Sequence, residues 1–186
     1  MREELFMAGL GGQGVNLAGQ LIARTGMDLG LNVSWFPIYE PEVRGGSSTC
    51  TVILTNERVG SPTSDHPTSM ILMTADAVER FAAGVAPGGL IVINSSLAQR
   101  APAGHEARVL MVPANQIAAE IGNDRVANMA LLGAWAAGTG IMGIEDIAAS
   151  LRALLPERHQ HHMPANEEGL RRGALIGRAA ALSEED

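Results

Sequence analysis

The chain has 186 residues, of which 46% are hydrophobic, and it carries a formal net charge of −7. This length suits one domain spanning residues 1–186, which can bury a sufficient core without disulfides. The acidic balance disfavours binding to nucleic acid. No apolar run reaches the roughly 18 residues of a membrane span, and the N-terminus lacks the apolar stretch of a signal peptide. We therefore expect a cytoplasmic protein with neither nucleic-acid nor membrane partners.

The chain has a single cysteine, Cys50, which excludes an internal disulfide and an iron–sulfur cluster held by several cysteines of this chain. Cys50 lies in a run typical of a β-strand, residues 49–54. We interpret it as a buried structural thiol, with a reactive thiol as the alternative.

The predicted elements begin with a buried strand at residues 5–8, a short apolar run that glycine closes. A helix follows at 14–30, and residues 32–39 are extended, although Pro37 argues against an ordinary central strand. The later predictions are strands at 48–54, 69–73, 90–93 and 109–112, helices at 75–83 and 115–121, and C-terminal helices at 128–138, 144–155 and 166–182. This alternation predicts an α/β, Rossmann-like fold: a mostly parallel sheet with helices on both faces and a helical C-terminal segment.

A glycine-rich loop links the first strand to the first helix. It reads Gly9-Leu10-Gly11-Gly12-Gln13-Gly14 and matches the pattern G-x-G-x-x-G in the context that the pattern requires. Glycines allow close backbone approach, and free amides at a helix start favour an anion. We therefore predict a phosphate site at Gly11, Gly12, Gln13 and Gly14. Tight strand–helix packing without a ligand is the alternative.

A nicotinamide or flavin dinucleotide is disfavoured at this loop. Such a site needs an acidic residue near the end of the second strand, where it binds the ribose. Residues 33–36 contain none, and the first acid, Glu40, follows in a loop.

A second unusual segment, residues 39–48, follows the second strand. It contains Glu42, Arg44, Gly45 and Gly46 after Pro41. An acid, an arginine and two glycines place an ion pair beside flexible backbone. We expect this loop at the same sheet edge as the first glycine loop, where α/β proteins bind ligands. A solvated surface loop is the alternative.

Three histidines cluster after Pro156, at positions 159, 161 and 162. Their spacing is not the i, i+4 arrangement that aligns two metal ligands on a helix. A polar interhelix loop is therefore favoured over a metal site.

Taken together, these segments resemble the gamma subunit of 2-oxoacid:ferredoxin oxidoreductases, which act on pyruvate, 2-oxoglutarate, branched-chain oxoacids or indolepyruvate. The resemblance covers nearly the whole chain. Its motifs are Gly9 to Val15, Pro41-Glu42-Val43-Arg44-Gly45-Gly46, and Arg125-Val126-Ala127-Asn128-Met129 with Leu132-Gly133-Ala134. One departure is Glu40, which stands where the family usually has glycine.

The resemblance implies a subunit that is active only in a complex. Thiamine diphosphate and iron–sulfur clusters would lie on partners, namely thiamine-binding alpha and beta subunits and a ferredoxin-like subunit. The complex would decarboxylate a 2-oxoacid, reduce ferredoxin and pass the acyl group to coenzyme A. This chain itself has no Gly-Asp-Gly followed by a distant Asn, as thiamine-binding proteins have, and no cluster cysteines.

The resemblance also implies that this subunit helps to bind coenzyme A as a substrate, with no catalytic residue and no cofactor of its own. The candidate contacts are Gly11, Gly12, Gln13, Gly14, Glu42, Arg44, Gly45 and Asn128. Asn128 has a simpler alternative role as the cap of the helix that it begins. Two other functions remain open: a structural scaffold subunit, and a free-standing nucleotide-binding oxidoreductase. The sequence does not identify the 2-oxoacid.

Overall fold

The structure, a computed structural model, describes residues 1–39, 46–101 and 106–182. The strands are β1 (Arg2–Leu10), β2 (Asn32–Tyr39), β3 (Ser47–Thr55), β4 (Ser69–Leu72), β5 (Leu90–Asn94) and β6 (Arg108–Val112). The helices are α1 (Val15–Asp28), α2 (Ala75–Phe81), α3 (Ala114–Ile121), α4 (Ala127–Thr139), α5 (Ile144–Leu154) and α6 (Met163–Leu182). Short 3-10 helices lie at Ala82–Gly84, Asp124–Val126 and Glu157–His162. None of the described helices is long and apolar enough to cross a membrane.

The six strands form one sheet in the order β2-β3-β1-β4-β5-β6. The pairs β1–β4, β4–β5 and β5–β6 are parallel, whereas β3 is antiparallel to both β1 and β2. The predicted α/β class and mostly parallel sheet are confirmed. The antiparallel placement of β3 was not predicted, because alternating strands and helices favour parallel neighbours.

Helices cover both faces of the sheet unequally. On one face, α1, α3, α4, α5 and α6 contribute to a large core with the side chains of Leu5, Met7 and Val92. On the other face, α2 and the following 3-10 helix pack against a smaller core that includes Met70 and Ile93. Successive strand residues face opposite sides, so each central strand is apolar on both faces.

Pro37 lies in β2, at the edge of the sheet, opposite Cys50 of β3. Proline has no N–H group to donate to a neighbouring strand. It is therefore tolerated in an edge strand, which has a partner strand on only one side. The expectation that residues 32–39 are not an ordinary central strand is therefore confirmed.

Helices α4 and α6 run parallel and touch along their backbones. Each glycine on the α6 side faces a residue of the α4 region one turn further along: Gly169 faces Val126, Gly173 faces Ala130 and Gly177 faces Ala134. A Cβ atom at Gly173 would overlap the carbonyl group of Ala130. The helices are this close only because the contact line lacks side chains.

A buried polar chain ties α4 to the sheet. The indole Nε1 of Trp135, which is fully buried, donates to Ser69 Oγ at 2.8 Å. Ser69 Oγ in turn donates to Glu3 Oε1 at 2.5 Å. The hydroxyl satisfies both neighbours, so the carboxyl group of Glu3 and the indole are tolerated inside the core.

Cys50 is buried under α1, where its Sγ lies 3.7 Å from the carbonyl oxygen of Val15. Burial raises the pKa of the Cys50 thiol to about 12. The sequence-based interpretation of a buried structural thiol agrees with this placement.

We expect Gly173→Ala to lower the free energy of unfolding by at least about 2 kcal/mol, since the added methyl group forces α4 and α6 apart. The better helix propensity of alanine offsets only about 1 kcal/mol of this loss. Urea denaturation measures the change. Gly60→Ala is the control, because nothing lies within 4 Å of the added atom there. An equally stable Gly173→Ala protein would contradict the close contact.

The raised pKa of Cys50 predicts that alkaline conditions favour unfolding. The unfolded thiol ionises near pH 9, while the folded thiol stays protonated until about pH 12. The stability that the buried neutral thiol contributes is complete below about pH 9 and is lost as the pH rises toward 12. Denaturation curves across this range should show a smaller pH-dependent loss in Cys50→Ala. A disulfide reagent at pH 8 should modify Cys50 only after unfolding.

Candidate functional site

The glycine loop forms a tight turn at the carboxyl end of β1. Gly12 and Gly14 have φ angles of +94° and +80°, a conformation in which side chains other than hydrogen are strained. The side chain of Gln13 braces the turn, because its Oε1 accepts a hydrogen bond from Leu10 N at 2.7 Å. The loop therefore holds its shape without a ligand.

The amides of the loop differ in what they bind. Gly11 N donates to Gly46 O at 3.0 Å, and Gln13 N donates to Leu10 O at 3.1 Å. Among the described residues, the amides of Gly12 and Gly14 have no such partner, and the first-turn amides of α1 are open as in any helix. Of the four predicted loop residues, Gly12 and Gly14 are thus the available backbone donors.

Gly46, at the described end of the second segment, lies beside the glycine loop, since its carbonyl oxygen accepts the hydrogen bond from Gly11 N. The predicted site residues Glu42, Arg44 and Gly45, together with Glu40 and Pro41, lie outside the described residues.

Asn128 projects from the first turn of α4 toward the glycine loop. It is 5% exposed, and its amide group packs so closely against Gly14 that a Cβ atom there would overlap it. The helix begins at Ala127, and the residue in the cap position is Val126. The alternative that Asn128 caps this helix is therefore wrong, because it lies inside the first turn.

Only two buried side-chain polar atoms in the described ranges lack a hydrogen-bond partner: Oδ1 of Asn128 and Oδ1 of Asn16. Both residues lie at the start of α1: Asn16 is in its first turn, and Asn128 packs against Gly14 just before it. The Nδ2 of Asn16 donates to Ser48 Oγ at 3.0 Å. An unpartnered buried amide oxygen costs free energy unless a ligand or water satisfies it. This cost is concentrated beside the glycine loop.

A cleft of about 330 Å³ opens in front of the loop. Its walls come from the ends of β1, β4 and β5 and from the starts of α1, α3 and α4; they include Gly12, Gln13, Gly14, Leu17, Met73, Asn94, Asn115, Asp124, Arg125 and Asn128. After β1 the chain continues to β2 at one edge of the sheet, whereas after β4 it continues to β5, toward the other edge. Ligands of α/β proteins bind at such a switch point.

Several cleft residues were not among the predicted site residues, and three of them are polar side chains with a clear role in the cleft: Asn94, Asn115 and Arg125. Asn94 and Asn115 bond to each other, with Asn94 Nδ2 donating to Asn115 Oδ1 at 2.8 Å, and Arg125 brings the cleft a cationic side chain. The sequence does contain a signal that could have identified Asn94: it is the polar residue that ends the otherwise apolar strand β5. Arg125 belongs to a motif that the sequence analysis singled out, but it was not chosen as a ligand contact.

The strand order speaks against a dinucleotide site. Since β3 separates β2 from β1, the end of β2 lies two strand spacings, about 9–10 Å, from β1. In a dinucleotide-binding fold the two strands are neighbours, which brings the acidic residue of the second strand to the ribose.

The residues within 1–39, 46–101 and 106–182 include no group of three His, Cys, Asp or Glu side chains that could hold a metal ion. The histidines at 159, 161 and 162 lie in the 3-10 helix before α6 rather than in an irregular loop. Their rings lie against one another: the ring centres of His161 and His162 are 3.9 Å apart, with the ring planes tilted by 44°.

Fold and site together define an α/β protein with a glycine loop and an anion-compatible cleft at a switch point. The model of the pyruvate ferredoxin/flavodoxin oxidoreductase family matches residues 4–176, and the chain belongs to this family. The family resemblance seen in the sequence is thus confirmed.

Three similar proteins illustrate the relationship. The ketoisovalerate oxidoreductase subunit VorA of Methanothermobacter thermautotrophicus is 39% identical over 140 residues, which are 75% of this chain but 29% of VorA. The chain therefore spans less than a third of that longer relative. The gamma subunit of a keto/oxoacid ferredoxin oxidoreductase from Geobacter sulfurreducens has a TM-score of 0.80 at 26% identity, covering 97% of this chain and 98% of that one.

The third is 2-oxoglutarate:ferredoxin oxidoreductase from Magnetococcus marinus, whose structure contains 2-oxoglutarate, coenzyme A and succinyl-CoA. It has a TM-score of 0.86 at 22% identity, covering 96% of this chain and 31% of that chain. At this identity the likeness concerns the fold. The same fold thus occurs both as a separate subunit and as one part of a longer chain.

We expect Asn128→Ala to cost at least about 1 kcal/mol less folding stability than Asn94→Ala. Both asparagines are buried and lose the same atoms, but Asn94 makes hydrogen bonds to Asn115 and Ser96, whereas Oδ1 of Asn128 makes none. Urea denaturation of the two variants measures the difference. Equal losses would show that Asn128 supports the fold rather than awaiting a ligand.

Proposed function

We propose that this chain is the gamma subunit of a 2-oxoacid:ferredoxin oxidoreductase and that its cleft holds coenzyme A. In the complex, a 2-oxoacid is oxidatively decarboxylated, ferredoxin is reduced and the acyl group passes to coenzyme A. The observation that carries the proposal is the buried, unpartnered amide oxygen of Asn128 beside the open amides of the glycine loop. The presence of coenzyme A in the M. marinus enzyme, which shares the fold, supports this choice of ligand.

Coenzyme A offers the groups that this cleft is built to receive. Its diphosphate is a double anion, which the amides of Gly12 and Gly14 and the positive end of α1 would bind. Its pantetheine and adenine carry N–H donors, which Oδ1 of Asn128 can accept. Glu42, Arg44 and Gly45 remain candidate contacts on the family resemblance, and in the sequence they directly precede Gly46, which bonds to Gly11.

The chemistry of decarboxylation and electron transfer is assigned to partners. One cysteine cannot provide the ligands of an iron–sulfur cluster, and the sequence lacks a thiamine-binding motif. Thiamine diphosphate and the clusters would supply the decarboxylation and the redox steps from thiamine-binding alpha and beta subunits and a ferredoxin-like subunit. The role left to this chain is to bind and orient coenzyme A.

The edge strand β2 supports such an assembly. It exposes Trp35, Phe36 and Ile38, with 36%, 40% and 46% of their surfaces accessible. Large apolar side chains on an open sheet edge are typical of a surface that a partner covers. In the longer relatives, the part of the chain that this protein does not match is about two thirds of the length, and it could cover the corresponding strand.

The glycine loop provides the test. We expect Gly12→Val to weaken coenzyme A binding at least tenfold, because a side chain at this position projects into open space in the cleft and is strained at φ +94°. Gly30→Val is a matched control: Gly30 has φ +80° and equally empty surroundings, but it follows the far end of α1. Titration calorimetry with coenzyme A measures both variants.

The expected result separates the three candidate functions. A coenzyme A subunit loses affinity in Gly12→Val alone, and the isolated chain oxidises no 2-oxoacid with any electron acceptor. Unchanged coenzyme A dependence of a reconstituted Gly12→Val complex would favour a structural scaffold. Tight binding of NAD or FAD by the isolated chain, or turnover without partners, would favour a free-standing oxidoreductase.

A further inference from the structure

The histidines before α6 lie at the same end of the molecule as the coenzyme A cleft. Because α4 and α6 are parallel, with Gly169 packed on Val126, the segment that precedes α6 extends beyond the start of α4. Arg125 directly precedes Val126 and lines the cleft. The parallel packing thus brings Arg125 and the three histidines toward one another.

This end of the molecule brings together two arginines, Arg125 and Arg158, and three histidines, on a protein whose net charge is −7. Arg158 Nε donates to His159 Nε2 at 3.1 Å, and the ring centres of His159 and His162 are 6.1 Å apart. The first turns of α1, α4 and α6 contain no acidic residue that would offset the positive helix ends. By contrast, the first turn of α5 carries Glu145 and Asp146.

The carboxylates near this cluster are mostly engaged elsewhere. On α6, Glu167 pairs with Arg152, and Glu168 pairs with Arg171 and Arg172. Two acids remain: Asp124 beside Arg125, and Glu157 in the first turn of the histidine segment. In the described part of the chain, Arg125 has no ion-pair partner.

One of the histidines, His162, responds to its burial and to its cationic neighbours. Burial, together with the charges of His161, His159 and Arg125, lowers the pKa of His162. His162 therefore resists protonation until an anion arrives nearby, and a bound dianion would reverse the effect.

We propose that Arg125 and the histidines 159, 161 and 162 form a subsite for a phosphomonoester. This inference rests on the function proposed above, and the group that fills the subsite is the 3′-phosphate of coenzyme A. A planar guanidinium binds two phosphate oxygens at once, and imidazolium groups donate to the same dianion. The subsite adjoins the cleft, because Arg125 lines it together with Asn128, whose Oδ1 has no hydrogen-bond partner. The diphosphate at the glycine loop and the 3′-phosphate at this subsite would fix the ribose through its 5′ and 3′ positions.

The test compares coenzyme A with 3′-dephospho-coenzyme A by titration calorimetry on the full chain. We expect the wild type to prefer coenzyme A by about ten- to a hundredfold, as a charge-assisted contact provides. Arg125→Gln should remove at least tenfold of this preference, so the ratio of the two affinities rather than either affinity alone is the readout. Arg178→Gln is the control, because Arg178 is exposed near the far end of α6 and has no described ion-pair partner.

The pH dependence identifies the histidines. The wild-type preference for coenzyme A should grow as the pH falls from about 8 to about 6.5, because imidazoles gain protons while the phosphate keeps most of its second charge. His162→Gln should flatten this trend. A preference that is independent of pH, or a trend unchanged in His162→Gln, would remove the histidines from the subsite.

The remaining outcomes separate this inference from the proposed function. Equal wild-type affinities for both compounds would overturn the subsite while leaving coenzyme A binding in place. Equal affinities together with binding of inorganic phosphate that Arg125→Gln abolishes would assign the cluster to free phosphate and overturn the inference. Failure of the wild type to bind either compound would overturn the proposed function, and the subsite with it.

Discussion

The rest of the structure depends on the backbone contact between α4 and α6. Glycines at 169, 173 and 177 allow two helices to lie side by side with the same direction, an arrangement in which their dipoles repel. Dense packing compensates for that repulsion, and the start of α4 is thereby fixed over the sheet. The position of Asn128 against Gly14 follows, and so does the convergence of three helix starts at one sheet edge. A cleft lined by helix starts thus results from how the core is packed.

A second constraint is the antiparallel strand β3 between β2 and β1. It pairs with both neighbours along its full length and lends β1 a rigid support on the side away from β4. Its first residues also adjoin Gly46, which anchors Gly11. In a dinucleotide-binding fold this place belongs to the second parallel strand. The exchange of neighbours keeps the glycine loop with its open amides and removes the adjacent strand end that binds ribose in dinucleotide-binding folds.

Local patterns predicted much of the fold. Apolar runs and helical periodicity identified the strands and helices, because each is a property of a short window of sequence. Pro37 correctly argued against an ordinary central strand at residues 32–39. Strand order and the antiparallel direction of β3 depend on contacts between distant segments, which no window contains. Helix boundaries also shifted: α6 begins at Met163 rather than near residue 166, since the preceding 3-10 helix leads directly into it.

The candidate site was predicted in part for the same reason. The glycine pattern located the loop, but only the structure separates the bonded amides of Gly11 and Gln13 from the open ones of Gly12 and Gly14. Asn94 is 79 residues after Val15 and reaches the cleft only because β5 lies two strands from β1. The histidines were weighed only against metal-ligand spacing, and their nearness to Arg125 depends on the parallel α4–α6 pair. Whether a buried amide such as Asn128 has a partner is a three-dimensional property.

The two tryptophans of this chain occupy opposite extremes of environment. Trp135 is fully buried and bonded to Ser69, whereas Trp35 stands on the edge strand with 36% of its surface accessible. Their fluorescence is therefore separable. The emission of Trp135 lies at short wavelength and is protected from aqueous quenchers, so it reports whether the core is intact. The emission of Trp35 is open to the quencher and would change if a partner covered β2, so the native chain can report such an association without an added label.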